Sequence, residues 1–139
     1  MPLTYQLTTP ERIVEEGTAD AVMLPTTEGY ITILPNHIPL VSTLGAGEIM
    51  IRKNGEEFYF ATEGGFIEMR PENKLVILAD FAAKADELDV DVIEKAKARA
   101  EEMLREKKFE NDEQFATIAA ELQRELTKLG VARKRRKHS

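Results

Sequence analysis

Up to about residue 85 the apolar residues recur at every second position, in short runs rich in β-branched and aromatic side chains between turn residues. This pattern predicts strands at Thr4–Thr8, Ile13–Glu16, Ala19–Leu24, Tyr30–Leu34, Leu40–Thr43, Glu48–Ile51, Phe58–Ala61, Phe66–Arg70 and Leu75–Ala79. Asn54-Gly55 predicts a two-residue hairpin, because a type I′ turn needs positive φ at both central positions. Pro71-Glu72-Asn73-Lys74 predicts a second turn, since proline presets φ and asparagine tolerates the left-handed region. Many short strands with tight turns point to an antiparallel sandwich or barrel.

Beyond Asp86 the period becomes helical. A first helix is expected to start at Asp89 or Asp91, where Asp91 and Glu94 form a capping-box-like pair, with Ile93, Ala96, Ala100 and Met103 or Leu104 as its apolar stripe. A break is expected near Lys108–Asp112. Asn111, with Gln114 three residues on, then caps a second helix whose Phe115, Ile118, Ala119, Leu122, Leu126 and Leu129 follow helical spacing, with Gly130 as its stop. The expected fold class is α+β: an antiparallel β-sandwich over residues 1–86, followed by an antiparallel two-helix hairpin with a basic tail over 87–139. Short isolated helices are marginal, so the hairpin needs a surface to rest on and is expected to be loosely held, with more than one arrangement open to it.

A chain of 139 residues holds one domain with an appendage, and its apolar and charged content is that of a soluble folded protein. Cysteine is absent, which removes disulfides, thiolate metal sites and a cysteine nucleophile. The start, Met1 to Leu7, has neither a basic n-region nor an apolar h-region, so no secretion signal is expected. Leu75–Ala79, the longest aliphatic run, is far short of a bilayer span. The net charge of −6 hides a gradient: the last twelve residues, 128–139, carry six basic side chains and no acid, on an otherwise acidic body. Such an end is either a solvated tail or an electrostatic hook.

Catalytic patterns are missing. His37 has hydroxyl residues nearby but no G-x-S-x-G turn, and the other histidine, His138, lies in the basic tail without metal-ligand spacing. No phosphate-cradling glycine loop occurs, since Gly45-Ala46-Gly47 opens onto a strand. The basic run has no interleaved aromatic residues and its acidic body repels nucleic acid, so nucleic acid is not an expected partner. The residues describe a non-enzymatic module that acts through partners.

Three stretches carry a resemblance: LPTTEGYITILPNHIPLVSTLGAGEI (Leu24–Ile49), ATEGGFIEM (Ala61–Met69) and VILAD (Val76–Asp80). With the Pro-x-His-x-Pro-Leu core and the downstream Gly-Gly-Phe, the chain resembles the epsilon subunits of F-type ATP synthases, and does so over nearly its whole length. This family is homologous to the mitochondrial delta subunits; the lack of a transit peptide favours the bacterial type. The resemblance implies a non-catalytic rotor component of the central stalk, coupling the gamma subunit to the membrane c-ring during proton-driven ATP synthesis. It implies ring-facing residues Tyr30, Ile31 and Thr32, with His37, Ile38, Pro39 and Leu40 in the adjoining loop. It also implies a gamma-facing side near Thr9 and Leu75, Val76, Ile77 and Leu78. The two prolines around His37 would preorganise that loop.

The hairpin resembles an element that folds against the sandwich or extends along gamma toward the alpha and beta subunits and inhibits ATP hydrolysis, its tail of Arg133, Lys134, Arg135, Arg136 and Lys137 being suited to acidic partners. The implied location is peripheral, at the cytoplasmic face of the bacterial cell membrane, which the subunit touches only through the complex. No cofactor is expected. Some relatives bind regulatory ATP through an [IL]-D-x-x-R-A motif, of which Leu88 and Asp89 match while Val92 and Ile93 replace the arginine and alanine. The alternative reading is a stand-alone β-sandwich adaptor that uses the same apolar loop for an unrelated partner.

Overall fold

The computed structural model describes residues 2–135. Its elements are β1 (Leu3–Thr8), β2 (Ile13–Ala19), β3 (Ala21–Thr26), β4 (Gly29–Ile33), β5 (Leu40–Thr43), β6 (Gly47–Lys53), β7 (Glu56–Arg70), β8 (Lys74–Lys84), a single 3-10 turn at Ala85–Glu87, α1 (Val90–Arg105) and α2 (Asp112–Arg135). The strands pair in the order β2-β1-β8-β7-β6-β3-β4, with β5 also on β7. The Asn54-Gly55 turn forms as expected, with φ of 50° and 82°.

The structure makes two corrections to the expected sandwich. The segments Phe58–Ala61 and Phe66–Arg70 are a single strand, β7, whose first half pairs with β6 and whose second half pairs with β5. Its partner β8 keeps the same register on both sides of Gly64, from Phe60 opposite Lys84 to Arg70 opposite Lys74. The two long strands therefore pass from one layer into the other, and the bend lies at Gly64-Gly65. A Cβ on Gly65 would sit 1.9 Å from the Leu78 carbonyl oxygen, at a φ of 122° that side-chain-bearing residues rarely adopt. The second correction is that β1 runs parallel to β8, from Thr4 opposite Lys74 to Thr8 opposite Leu78, so the sandwich is not purely antiparallel. Parallel neighbours need a long connection, and here the rest of the sandwich supplies it.

One layer thus contains β2, β1, the start of β8, the end of β7 and β5; the other contains β4, β3, β6, the start of β7 and the end of β8. Between them lies a core built on Leu3, Tyr5, Leu7, Leu24, Ile33, Ile49, Ile51, Phe60, Ile67 and Ile77, all at most 1% exposed. The strand alternation in the sequence is this inward face.

The hairpin corrects three further expectations. α1 starts at the first of its two expected positions, Asp89, whose carboxylate accepts from the N–H groups of Asp91 (3.0 Å) and Val92 (3.3 Å), so the cap is not the expected Asp91–Glu94 box. Asn111 does cap α2, accepting from the Gln114 N–H at 2.8 Å, and Gln114 reaches back to the Glu110 N–H at 2.7 Å. Gly130 does not end the helix, which runs on to Arg135. A helical glycine costs about 1 kcal/mol, offset here by burial of Val131 and Ala132 and by ion pairs from the final turn. The buried stripe of α2 is Ile118, Glu125, Leu129, Val131 and Ala132, while the expected Phe115 and Leu126 are largely exposed. A simple apolar stripe fails because α2 packs on two surfaces at once, α1 and the sandwich.

Candidate functional site

Each layer of the sandwich has an outer face, and the two differ. On the layer containing β6, outward positions Glu48, Met50 and Ala61 are buried and α2 lies across this face, with Tyr59 opposite Met50 and Ala83 opposite Ala61 in the ladder. Alanine at 61 and 83 lets a helix approach closely. The contacts on this seat are chiefly cationic. The Arg124 and Lys128 head groups lie 4.8 and 5.2 Å from the Phe81 ring centroid, and Arg124 also pairs with Glu63 at 3.0 Å. Arg135 stacks 3.4 Å over the Tyr59 ring and donates through Nε (2.8 Å) and Nη2 to the carboxylate of Glu48, which is 4% exposed. Lys134 stands 3.7 Å from the same carboxylate, and Arg133 pairs with Glu94 of α1. The Glu48 hydrogen bond raises the Arg135 pKa, against the opposing effect of burial. A hydrogen bond to Glu57 raises the Tyr59 pKa, and Glu57 itself is held low first by Tyr59 and then by Arg52.

The expected basic tail is therefore engaged within the molecule at Arg133, Lys134 and Arg135; Arg136 and Lys137 lie outside the described residues. Sequence reasoning missed the acceptor. Its signal was Glu48, a lone acid in the apolar run Glu48-Ile49-Met50-Ile51.

On the opposite layer the register aligns Thr43, Phe66, Leu78, Thr8 and Ile13 in one row, and Val41, Glu68, Val76, Gln6 and Glu16 in the next. Among these, Val41 (73%), Phe66 (60%), Leu78 (49%) and Ile13 (47%) are exposed. No other element of the described residues covers them; Phe66 and Leu78 are direct neighbours with Val41 diagonal to Phe66, and Thr8 separates Leu78 from Ile13, so the face is apolar at its centre with polar residues among its outer positions. The gamma-facing residues expected from the sequence divide here. Val76 and Leu78 reach this surface, whereas Leu75 and Ile77 are buried in the core at 1% and 0%, because strand neighbours point to opposite faces. Thr9 is mostly buried and closes the β1–β2 turn through its N–H to the Arg12 carbonyl at 2.9 Å.

The expected ring-facing residues come together at the edge strand β4 and the loop after it. Tyr30 and Thr32 are exposed and Ile38 is 74% exposed, joined by Leu34 at 54% and Pro39. Ile31 and Leu40 instead pack partly against the core. His37 is turned into its own loop: Nδ1 lies 2.7 Å from the Ile38 carbonyl oxygen, and the backbone N–H of His37 donates to the Leu34 carbonyl at 3.1 Å. The loop is fastened by a pair the sequence did not announce. Asn36, at φ 67°, receives the side-chain amide of Asn73 at 3.1 Å and donates its own N–H to the Asn73 side-chain oxygen. Asn73, itself left-handed and 8% exposed, belongs to the β7–β8 turn, so two loops are tied into one rim.

A cleft of about 520 Å³ lies where α1 begins, lined by Asp86, Glu87, Leu88, Asp89, Asp91 and Arg135 among others. Four acids line it, against one cation, Arg135. Asp89 already caps the helix N-terminus, further acids surround it, Arg135 is bound by Glu48, and Val92 and Ile93 supply no cation. Among the described residues no acidic or histidine cluster could hold a metal, and no helix is long and apolar enough to cross a membrane.

Comparison with known proteins agrees with this architecture. Residues 2–85 match the family model described as the ATP synthase delta/epsilon chain, beta-sandwich domain. The chain is 40% identical over 136 residues to the ATP synthase epsilon chain of Herpetosiphon aurantiacus, covering 98% of each. It is 40% identical over 136 residues to that of Dehalococcoides mccartyi, covering 98% of this chain and 96% of the relative. Among solved structures, a chain of the Euglena gracilis mitochondrial ATP synthase OSCP/F1/c-ring assembly shares the fold, with a TM-score of 0.71 at 19% identity over 87% of this chain and 75% of that one. A chain of the Tetrahymena thermophila mitochondrial ATP synthase central stalk and c-ring shares it less extensively, with a TM-score of 0.55 at 18% identity over 63% and 69%. A two-layer sandwich with one face under a helical hairpin and one apolar face open is thus the form taken here by a member of the ATP synthase delta/epsilon family, to which this chain belongs.

Proposed function

We propose that the chain is a non-catalytic central-stalk subunit of an F-type ATP synthase, gripped by gamma on its open apolar face and by the c-ring at the β4 rim. The observation that supports this most is the division of surfaces. One face is occupied by the chain's own hairpin, while the other presents Val41, Phe66, Leu78 and Ile13 to a partner. A rim stiffened by Pro35, Pro39 and the Asn36–Asn73 pair suits a contact that carries torque, since little ordering remains to be done on binding. The location that goes with this role is peripheral, on the cytoplasmic face of a bacterial membrane. The test is co-purification: the tagged chain should bring down gamma and the catalytic hexamer, and a chain that ignores gamma would favour the adaptor reading instead.

The hairpin is the regulatory part. Folded on the sandwich, its basic turn is bound to Glu48 and Glu94; extended, the same charges are available to acidic segments of the alpha and beta subunits. Deleting Val131–Ser139 should raise the ATP hydrolysis rate of the assembled enzyme, and an unchanged rate at low ionic strength would refute an inhibitory role. This attraction falls off beyond a Debye length of about 8–10 Å, so added salt should shrink the difference. Nucleotide does not set the hairpin's position. Titration calorimetry of the isolated chain with ATP should give no heat above dilution, and saturable binding would overturn that statement.

A further inference from the structure

Edge strand β4 and the hairpin seat meet in one side chain. Tyr30 extends from β4 across Pro25 of β3, and its phenol oxygen accepts the backbone N–H of Glu48 at 3.1 Å. Its path depends on Gly47, where a Cβ would lie 2.5 Å from the phenol oxygen and 3.3 Å from Pro25. The residue whose amide is held in this way is the one whose buried carboxylate grips Arg135, beneath the Tyr59 ring contact. Tyr30 is nevertheless 55% exposed, so whatever binds the edge can also move it.

We infer that Glu48 and Arg135 form the latch that keeps the hairpin folded, and that Tyr30 is its positioning residue, linking occupancy of the β4 edge to hairpin release. A partner that draws the phenol away from Glu48 removes the bond that holds the latch backbone on its β3 side, leaving only the β6–β7 ladder on the other. Arg135 then loses the alignment on which a bidentate contact depends. The inference rests on the rotor reading only in naming the ring as what would engage β4.

Hydrogen exchange on the full-length protein tests it. Arg135→Ala should accelerate amide exchange over Arg124–Arg135 by at least ~30-fold, because a buried carboxylate loses its bidentate hydrogen-bonded partner and keeps only the more distant Lys134. Tyr30→Phe, which keeps the ring and removes only the acceptor, should accelerate the same amides by ~3–10-fold. In the double variant Tyr30→Phe should add nothing further, while protection in β7 and β8 stays at the wild-type level in all three. Unchanged α2 exchange in Tyr30→Phe, or the same factor with and without Arg135, would overturn the link. Failure of the wild-type chain to bind gamma would instead contradict the rotor reading and leave these exchange rates as they are.

Discussion

Replacing Gly65 with alanine is expected to cost ~3–5 kcal/mol of sandwich stability, read as a lower urea midpoint at unchanged slope. The added Cβ would stand 1.9 Å from the Leu78 carbonyl oxygen and 2.9 Å from its carbon, and both belong to backbone paired in the β7–β8 ladder. The methyl group cannot be accommodated by rotating a side chain. Either the ladder opens at the point where both long strands change layers, or the bend flattens and the two layers part. Gly55, where a Cβ meets nothing within 4 Å, is the control, and alanine there should cost only the ~1 kcal/mol of a strained hairpin turn. A Gly65→Ala variant within about 1 kcal/mol of wild type would show that the bend is set elsewhere.

The second large effect is expected on assembly. Leu78→Asp should leave the folded chain intact, because Leu78 is 49% exposed and its neighbours Ile77 and Ala79 hold the core side of β8. It should weaken gamma binding at least ~30-fold, since a desolvated charge in the middle of an apolar contact removes both the apolar contribution and the surrounding exclusion of water. Phe66, opposite it in the ladder, should behave likewise. Ile77→Asp separates the alternatives, because it strikes the core and should unfold the sandwich before any question of partners arises. Normal gamma recovery with Leu78→Asp would remove this face from the interface.

Much of the architecture was legible because alternation reports burial directly. The Asn54-Gly55 type I′ turn, the Pro71–Lys74 turn, the change from a period of two to a helical one and the Asn111 cap could be read from a handful of residues. The parts that were not legible depend on contacts between residues far apart in the chain. The family resemblance points to Leu75–Leu78 as one surface stretch, and only the register shows that Leu75 and Ile77 face inward while Val76 and Leu78 face out. Gly64-Gly65 read as a break between two strands, whereas it is the bend within one. The α2 stripe was misjudged at Glu125, which is buried beside Lys128 at 2.9 Å, because a helix lying on two surfaces need not show a single apolar face. The Asn36–Asn73 pair and the Glu48 seat join positions 37 and 87 residues apart, beyond the reach of local pattern.

Photo-activated cross-linkers placed singly at positions 38 and 78 of the chain, in the reconstituted ATP synthase, test the central claim of two opposed grips most directly. Position 38 should label the c-ring and position 78 should label gamma. If both positions label gamma, or position 38 never reaches the ring, the assignment of rim and face is contradicted.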